Sequence, residues 1–542
     1  MDNQYDYIIV GAGSAGSVLA NRLSEDPTHR VLLLEAGGRD LNPLIHLPVG
    51  WSQLLGNKKV NWGYFSEPEP NLNGRRIPVP RGRGLGGSSS INGMVYIRGQ
   101  KADYDHWADL GCEGWSYDEL LPYFKHSEAF EPNTGCDYHG RSGELNVAEP
   151  RSDYALADAY IDAALECGYQ HNADFNGEQQ EGVGYFHLNQ KNGRRHSAAV
   201  AFLNPVKPRP NLHIQTGALA SRIHFDNKRA VAISYRCGRK QQRANAAREI
   251  ILCGGAINSP ALLEHSGIGR PEVLAQAGVE LIHELPGVGE NLQEHLTCPV
   301  EYRVKKGTTL VHEAKPLALV KNLLKYLFTR RGALAFPAAT VGAFLRGEGD
   351  QRPAYQLHFA PGAGETDEKG NTAPADFPGV TSTGCVLRPQ SRGSVHIRNR
   401  DSQQRSAIHF NFLDSDEDLR RMVEVVRIQR AIFQSAAYDE FRGEEHLPGS
   451  HLQSDEEIVA YIREHAHTVY HPVGTCKMGV DAMAVVDPQL RVRGLEGLRV
   501  ADGSIFPTLI SGNTHATCVA IGEKCADLVL QGEISQPATQ NR

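Results

Sequence analysis

The segment Tyr5-Asp6-Tyr7-Ile8-Ile9-Val10 runs directly into Gly11-Ala12-Gly13-Ser14-Ala15-Gly16, and one helix length later Val31-Leu32-Leu33-Leu34 ends on Glu35. Apolar strand, Gly-x-Gly-x-x-Gly turn, helix, second strand and terminal acid form a complete βαβ dinucleotide unit. Gly11 allows the tight turn, Gly13 lets the backbone approach a pyrophosphate, and Gly16 lets the helix pack closely on the strand. The helix start at Ser14 turns free N–H groups and a positive dipole end toward the phosphates. Glu35 falls where a carboxylate accepts from an adenosine ribose hydroxyl. The fingerprint alone leaves NAD and FAD open.

At 542 residues the chain exceeds what one compact core holds, so two or more domains are expected. Its net charge of −7 offers no basic footprint for nucleic acid. The ten cysteines include no Cys-x-x-Cys pair and no zinc spacing, which reads as free, mostly buried thiols in a reducing compartment. With no His-Glu-x-x-His and no clustered His/Asp set, no metal is expected. Gly86-Gly87-Ser88 lacks the Gly-x-Ser-x-Gly frame of a nucleophile elbow, which sets that hydrolase chemistry aside. A strand starting at Tyr5 leaves no room for a signal peptide, and no apolar run is long enough to span a bilayer. The expected location is the cytoplasm, at most peripheral to the inner membrane.

Leu44 to Pro80, rich in proline and aromatics, reads as an irregular excursion over the surface or active site. It leads into a second glycine cluster, Arg81 to Gly93, whose backbone N–H groups and small hydroxyls suit an anion-cradling nest. The strand-then-glycine logic returns at Glu249 to Ala256, where Ser259 is the expected N-cap and Pro260 the first helical residue. It returns again at Leu498 to Ser504, ahead of an apolar helix expected from about Thr514 to Leu530. Because these junctions lie at the start, middle and end of the chain, a discontinuous nucleotide domain is expected over 1–155, 206–299 and 466–542. A cap segment at 156–205 and a substrate domain at 300–465 complete the division. The expected fold class is α/β: a Rossmann-like domain joined to a mainly antiparallel sheet, which the alternating runs Tyr355–Phe359 and Ser394–Ile397 suggest.

With Tyr96-Ile97-Arg98-Gly99, Gly254 to Leu263, Ser266-Gly267-Ile268-Gly269, Gly287 to Leu292, Tyr470-His471-Pro472-Val473-Gly474-Thr475 and Gly512-Asn513-Thr514 added in order, the chain resembles the glucose-methanol-choline (GMC) oxidoreductase family of FAD enzymes. The resemblance spans essentially the whole length and is strongest to the bacterial alcohol- and choline-dehydrogenase branch. It implies FAD, held by Gly11, Gly13, Ser14, Ala15, Gly16, Glu35, Ala36, Arg81, Gly86, Gly87, Ser88, Asn92, Gly93, Met94, Val95, Ala256, Asp502, Gly503, Asn513 and Thr514. Some relatives tether FAD through a histidine at the position of Ile91; isoleucine cannot, so non-covalent FAD is expected. Glu294 stands where the family usually has Asp, a mild change on a loop near the cofactor.

Oxidising an alcohol moves a hydride from carbon, here to flavin N5, and a proton from oxygen. Imidazole suits the proton, and among the 23 histidines His471 matches the family's active-site position. Asn513 matches its partner, whose amide would hold the developing alkoxide; the plainer reading is a cap on the last helix. His515 is a rival partner, while His465 and His467 read as scaffold. The stretch Leu334 to Phe344, which resembles a pocket-lining segment of the family, contains no acid to meet a quaternary ammonium, so the expected substrate is a neutral aliphatic or aromatic primary alcohol. The expected acceptor is a quinone or another non-oxygen acceptor. The basic, apolar segment Leu317 to Phe328, followed by Arg330 and Arg331, would either pack on its own domain or touch a membrane surface. Alternatives are a choline dehydrogenase, a photodecarboxylase-like flavin lyase, and a non-catalytic flavin-binding protein. Oligomeric state is open.

Overall fold

A computed structural model describes residues 3–133, 137–366 and 372–534. Two seven-stranded sheets organise the chain. The first has the order Leu212–Thr216, Val31–Glu35, Gln4–Val10, Lys240–Leu252, Arg229–Cys237, Ala218–Asp226, with Leu498–Val500 also paired to Lys240–Leu252. Its centre is parallel, Ile8 aligning with Leu32 on one side and Ile250 on the other. Ile8, Ile9, Leu33, Ile250 and Ile251 are fully buried, because such a sheet is covered on both faces and its strands need apolar side chains throughout. The helix Ser14–Leu23 packs beside the final helix, His515–Ile534. Gly522 sits at their crossing, where a Cβ would come within 2.8 Å of Ala15 O.

The second sheet is antiparallel, in the order Arg442–Leu447, Leu296–Val304, Gly379–Val386, Tyr355–Ala360, Val341–Leu345, Gly182–Tyr185, with His467–Thr468 paired to Leu296–Val304. Helix Asp416–Gln434 buries Met422, Val425 and Val426 in the core that covers this sheet. The run at Ser394 pairs with Ala407–His409 in a small separate hairpin and does not join the large sheet. Together the sheets form the expected two-part α/β architecture. Nine described cysteines are free thiols, six of them buried, and Cys136 lies outside the described residues.

The middle junction differs from expectation. Its helix runs Gly255–His265, so Pro260 lies inside it and not at its start. Proline has no N–H for the carbonyl of Ala256 four residues back. Thr475 Oγ1 donates to that carbonyl at 2.6 Å instead, which makes the early start tolerable. Ser259 is therefore no N-cap; its hydroxyl donates to Asp502 Oδ2 at 2.6 Å.

Candidate active site

The two glycine clusters meet face to face. Gly86 N–H donates to Ala12 O at 2.8 Å, and a Cβ on Gly87 would come within 2.8 Å of Gly13 Cα. At Gly11, with φ +108°, a Cβ would sit 2.4 Å from Cys253 O, so the turn is closed to any side chain. Gly13 differs: at φ −76° any residue could be accommodated, and a Cβ would meet no protein atom nearer than 3.9 Å. Its bareness serves the space above the loop. Glu35 accepts from Ala12 N at 3.0 Å and Gly37 N at 2.7 Å, and from the backbone of Gly84.

A cavity of about 2150 Å³ runs from these loops to His471. All but two of the expected cofactor residues line it; Gly16 and Gly86 stand behind the loops they shape. Ser14 Oγ bonds His515 Nδ1 at 2.8 Å, and His515 Nε2 is buried without a hydrogen-bond partner. His515 thus belongs to the glycine-loop end and is not paired with His471. Asp502 accepts from Gly255 N (2.8 Å), Ser259 Oγ (2.6 Å) and Ser504 N (2.8 Å), locking the middle and last junctions together. Arg81 gives its guanidinium to the carbonyls of Pro80 and Tyr470, and so braces the loop that carries His471.

That loop is bent by Tyr470, which holds φ +73°, a costly conformation for an aromatic residue and one typical of functional turns. It lies antiparallel to the Asn291–His295 segment through mutual bonds of Gln293 and Val473 at 3.0 Å. Glu294 lies on the irregular segment before the strand Leu296–Val304 and is not among the residues that line the cavity. It is buried behind His471 and accepts from His471 N at 2.7 Å and His295 N at 2.9 Å; burial pushes its carboxyl up to about 7.

The protons of the histidine pair follow from one backbone carbonyl. Leu387 O can only accept, so His295 Nε2, 3.0 Å away, carries a hydrogen. Burial lowers His295 to about 4 and His471 well below the usual histidine range, so both are neutral. His295 Nδ1 is then bare and accepts from His471 Nδ1–H at 3.0 Å. His471 Nε2 is bare in turn, and Asn513 presents its amide Nδ2 to it at 3.0 Å. Gln356 Nε2 donates to Asn513 Oδ1 at 3.1 Å and fixes the amide from the other side. The side chain of Asn513 is thus engaged in the cavity, and the helix begins two residues later at His515. His358, a residue of the cavity lining, interacts with Asn513 and has both ring nitrogens buried.

Residues 5–297 and 389–522 match the two family models described as GMC oxidoreductase. The chain belongs to the GMC oxidoreductase family. It is 44% identical over 545 residues to the oxygen-dependent choline dehydrogenase 1 of Chromohalobacter salexigens, covering 99% of this chain and 96% of that one. It is 43% identical to the alcohol dehydrogenase [acceptor] of Pseudomonas putida, covering 97% and 96%. The crystal structure of pyridoxine 4-oxidase from Mesorbium loti superposes with a TM-score of 0.88 at 33% identity, covering 98% and 100%. FAD is the cofactor of this oxidoreductase, and the residues present fit it. The open Gly13, the start of helix Ser14–Leu23, the unpartnered His515 nitrogen and the cavity reaching on to His471 suit a dinucleotide with its reactive end beside the histidine.

Sequence reasoning on this GMC oxidoreductase passed over His295, Gln356 and His358. Gln356 and His358 were visible only as alternate members of a strand, and the period of two does put them on one face. Glu301 was missed as well: from the same strand as Thr297, it lines the cavity and accepts from Thr381 Oγ1 at 2.8 Å. Among the described residues no cluster could hold a metal ion, and no helix is long and apolar enough to cross a membrane.

Proposed function

We propose that this GMC oxidoreductase oxidises a neutral primary alcohol to the aldehyde, with His471 Nε2 taking the hydroxyl proton and Asn513 Nδ2 holding the oxygen. One observation carries the reading: a bare acceptor nitrogen and a donor amide lie 3.0 Å apart on the wall of the cavity. A hydroxyl that displaces this bond meets an acceptor for its hydrogen in Nε2 and a donor for its oxygen in Nδ2. The depressed basicity of His471 keeps Nε2 free at neutral pH, and the bond to His295 holds the ring in the tautomer the task needs. FAD, when bound, provides the hydride acceptor. Ile91, buried with Ile45 and Leu54, offers no atom for a covalent tether, so the flavin is released by acid or heat precipitation.

The relative named alcohol dehydrogenase [acceptor] supports an alcohol substrate, and the proposed acceptor is a quinone or another non-oxygen acceptor. A second reading, choline oxidation, is favoured by Glu301 and by the choline dehydrogenase relatives. Anaerobic flavin reduction by a panel of alcohols, followed by admission of oxygen or a quinone, tests the proposal. Reduction by apolar primary alcohols supports it. Reduction by choline alone, abolished in Glu301→Gln, replaces it with the second reading, and no reduction by any alcohol ends both.

A further inference from the structure

The helix Pro316–Thr329 is amphipathic in the inverted sense. Its buried side chains are Asn322 and Tyr326, whereas Leu317 is 88% and Phe328 85% exposed. Among the described residues it carries seven of the thirteen exposed large apolar side chains: Leu317, Leu319, Val320, Leu323, Leu324, Leu327 and Phe328. At about 100° per residue, Leu317, Val320, Leu324, Leu327 and Phe328 form one arc directed away from the protein, with Lys321 and Lys325 along its edge. A soluble surface helix would place these residues inward, so the face calls for an apolar medium.

Charge says which medium. From Lys315 to Gly332 the chain carries Lys315, Lys321, Lys325, Arg330 and Arg331 and no acid, on a protein of net charge −7. A second copy meeting this face by two-fold symmetry would bring like charges together. An anionic bilayer surface matches both the cations and the apolar arc. The helix is 14 residues long, too short to cross a bilayer but suited to lie within its interface. Its other side meets the active-site cavity: Asn322 lines that cavity, and Leu319 lines it while remaining 48% exposed.

We propose that Pro316–Thr329 docks the enzyme on an anionic bilayer with the cavity opening at the lipid interface, so that its alcohol arrives dissolved in the membrane. The docking stands on the exposed face alone; the statement about the alcohol rests on the function proposed above. Flotation of the full-length holoenzyme with vesicles of phosphatidylcholine, with and without phosphatidylglycerol, tests it. Wild type should float with the phosphatidylglycerol vesicles and lose most of that binding in high salt. The Leu324→Glu/Phe328→Glu double variant should bind them about tenfold more weakly or worse, while keeping its FAD and its turnover of a water-soluble alcohol with a soluble dye. A wild type that stays unbound, or a double variant that floats equally well, overturns the docking. So does a dimer in light scattering that the same double variant splits, because a second copy would then cover the face. Failure of every alcohol to reduce the flavin would remove only the substrate clause, leaving vesicle binding to be judged on its own.

Discussion

The two ends of the cavity are made of different material. At the glycine-loop end the working surface is backbone: Gly11 pressed on Cys253 O, Gly87 laid on Gly13, and N–H groups at the start of a helix. At the histidine end it is side chains, His295, Gln356, His358, His471 and Asn513, delivered by segments far apart in sequence. A backbone surface fails by losing its shape, and with it the cofactor or the fold. A side-chain surface fails by losing a proton acceptor or donor while the shape survives. Substitutions at the two ends should therefore separate cleanly into changes of flavin content or stability and changes of rate.

The largest effect should come from His471→Ala, slowing anaerobic flavin reduction by about 10²–10⁴-fold with FAD retained. A rate within about threefold of wild type would break the comparison at its centre. Asn513→Ala should cost about 10–10³-fold, since it removes a donor and leaves the base. His515→Ala, two residues on, should leave the reduction rate within about threefold and weaken FAD retention, because its ring is bonded to Ser14. Reversed magnitudes for this pair would mean that the wrong side chain has been placed at the reacting oxygen.

The glycines sharpen the other end. Gly11→Ala should lower unfolding stability by about 2–3 kcal/mol, as its Cβ meets a backbone carbonyl at a φ hostile to side chains. Gly13→Ala should leave apoprotein stability within about 0.5 kcal/mol and empty the protein of flavin. Equal thermal stability of the two apoproteins would refute the distinction. His295→Leu should slow flavin reduction by about tenfold, because His471 Nδ1–H then lacks its acceptor and the ring can adopt the other tautomer. In wild type the acid limb of kcat/KM should lie below pH 6.5, since burial and the neighbouring His295, His358 and Arg81 all disfavour the imidazolium and the neutral base persists as pH falls.

The same contrast explains what could be read from the residues in order. Gly11, Gly13 and Gly16 act within one turn, so their spacing carries their geometry, and the strand–glycine–helix junctions fixed the parallel sheet without reference to anything distant. Pro260 was misplaced because what makes it acceptable inside a helix is Thr475, more than two hundred residues away. Glu294 looked like a conservative loop change because nothing local says that its carboxylate holds the backbone of His471. His471 and Asn513 were found through motif resemblance; spacing alone could not have paired them. His295 and His358 had only their residue type to distinguish them from the other histidines, and residue type carries no position.

The carbonyl of Leu387, which assigns the hydrogens of the histidine pair, also sets a direction on traffic. A peptide oxygen cannot take up a proton at any physiological pH, so the line from His471 through His295 is a dead end. In the proposed reaction a proton captured on Nε2 has no exit behind the ring, and it waits there until something in the cavity collects it. The route by which the alcohol enters is then the route by which its proton leaves, and clearing the cavity resets the base.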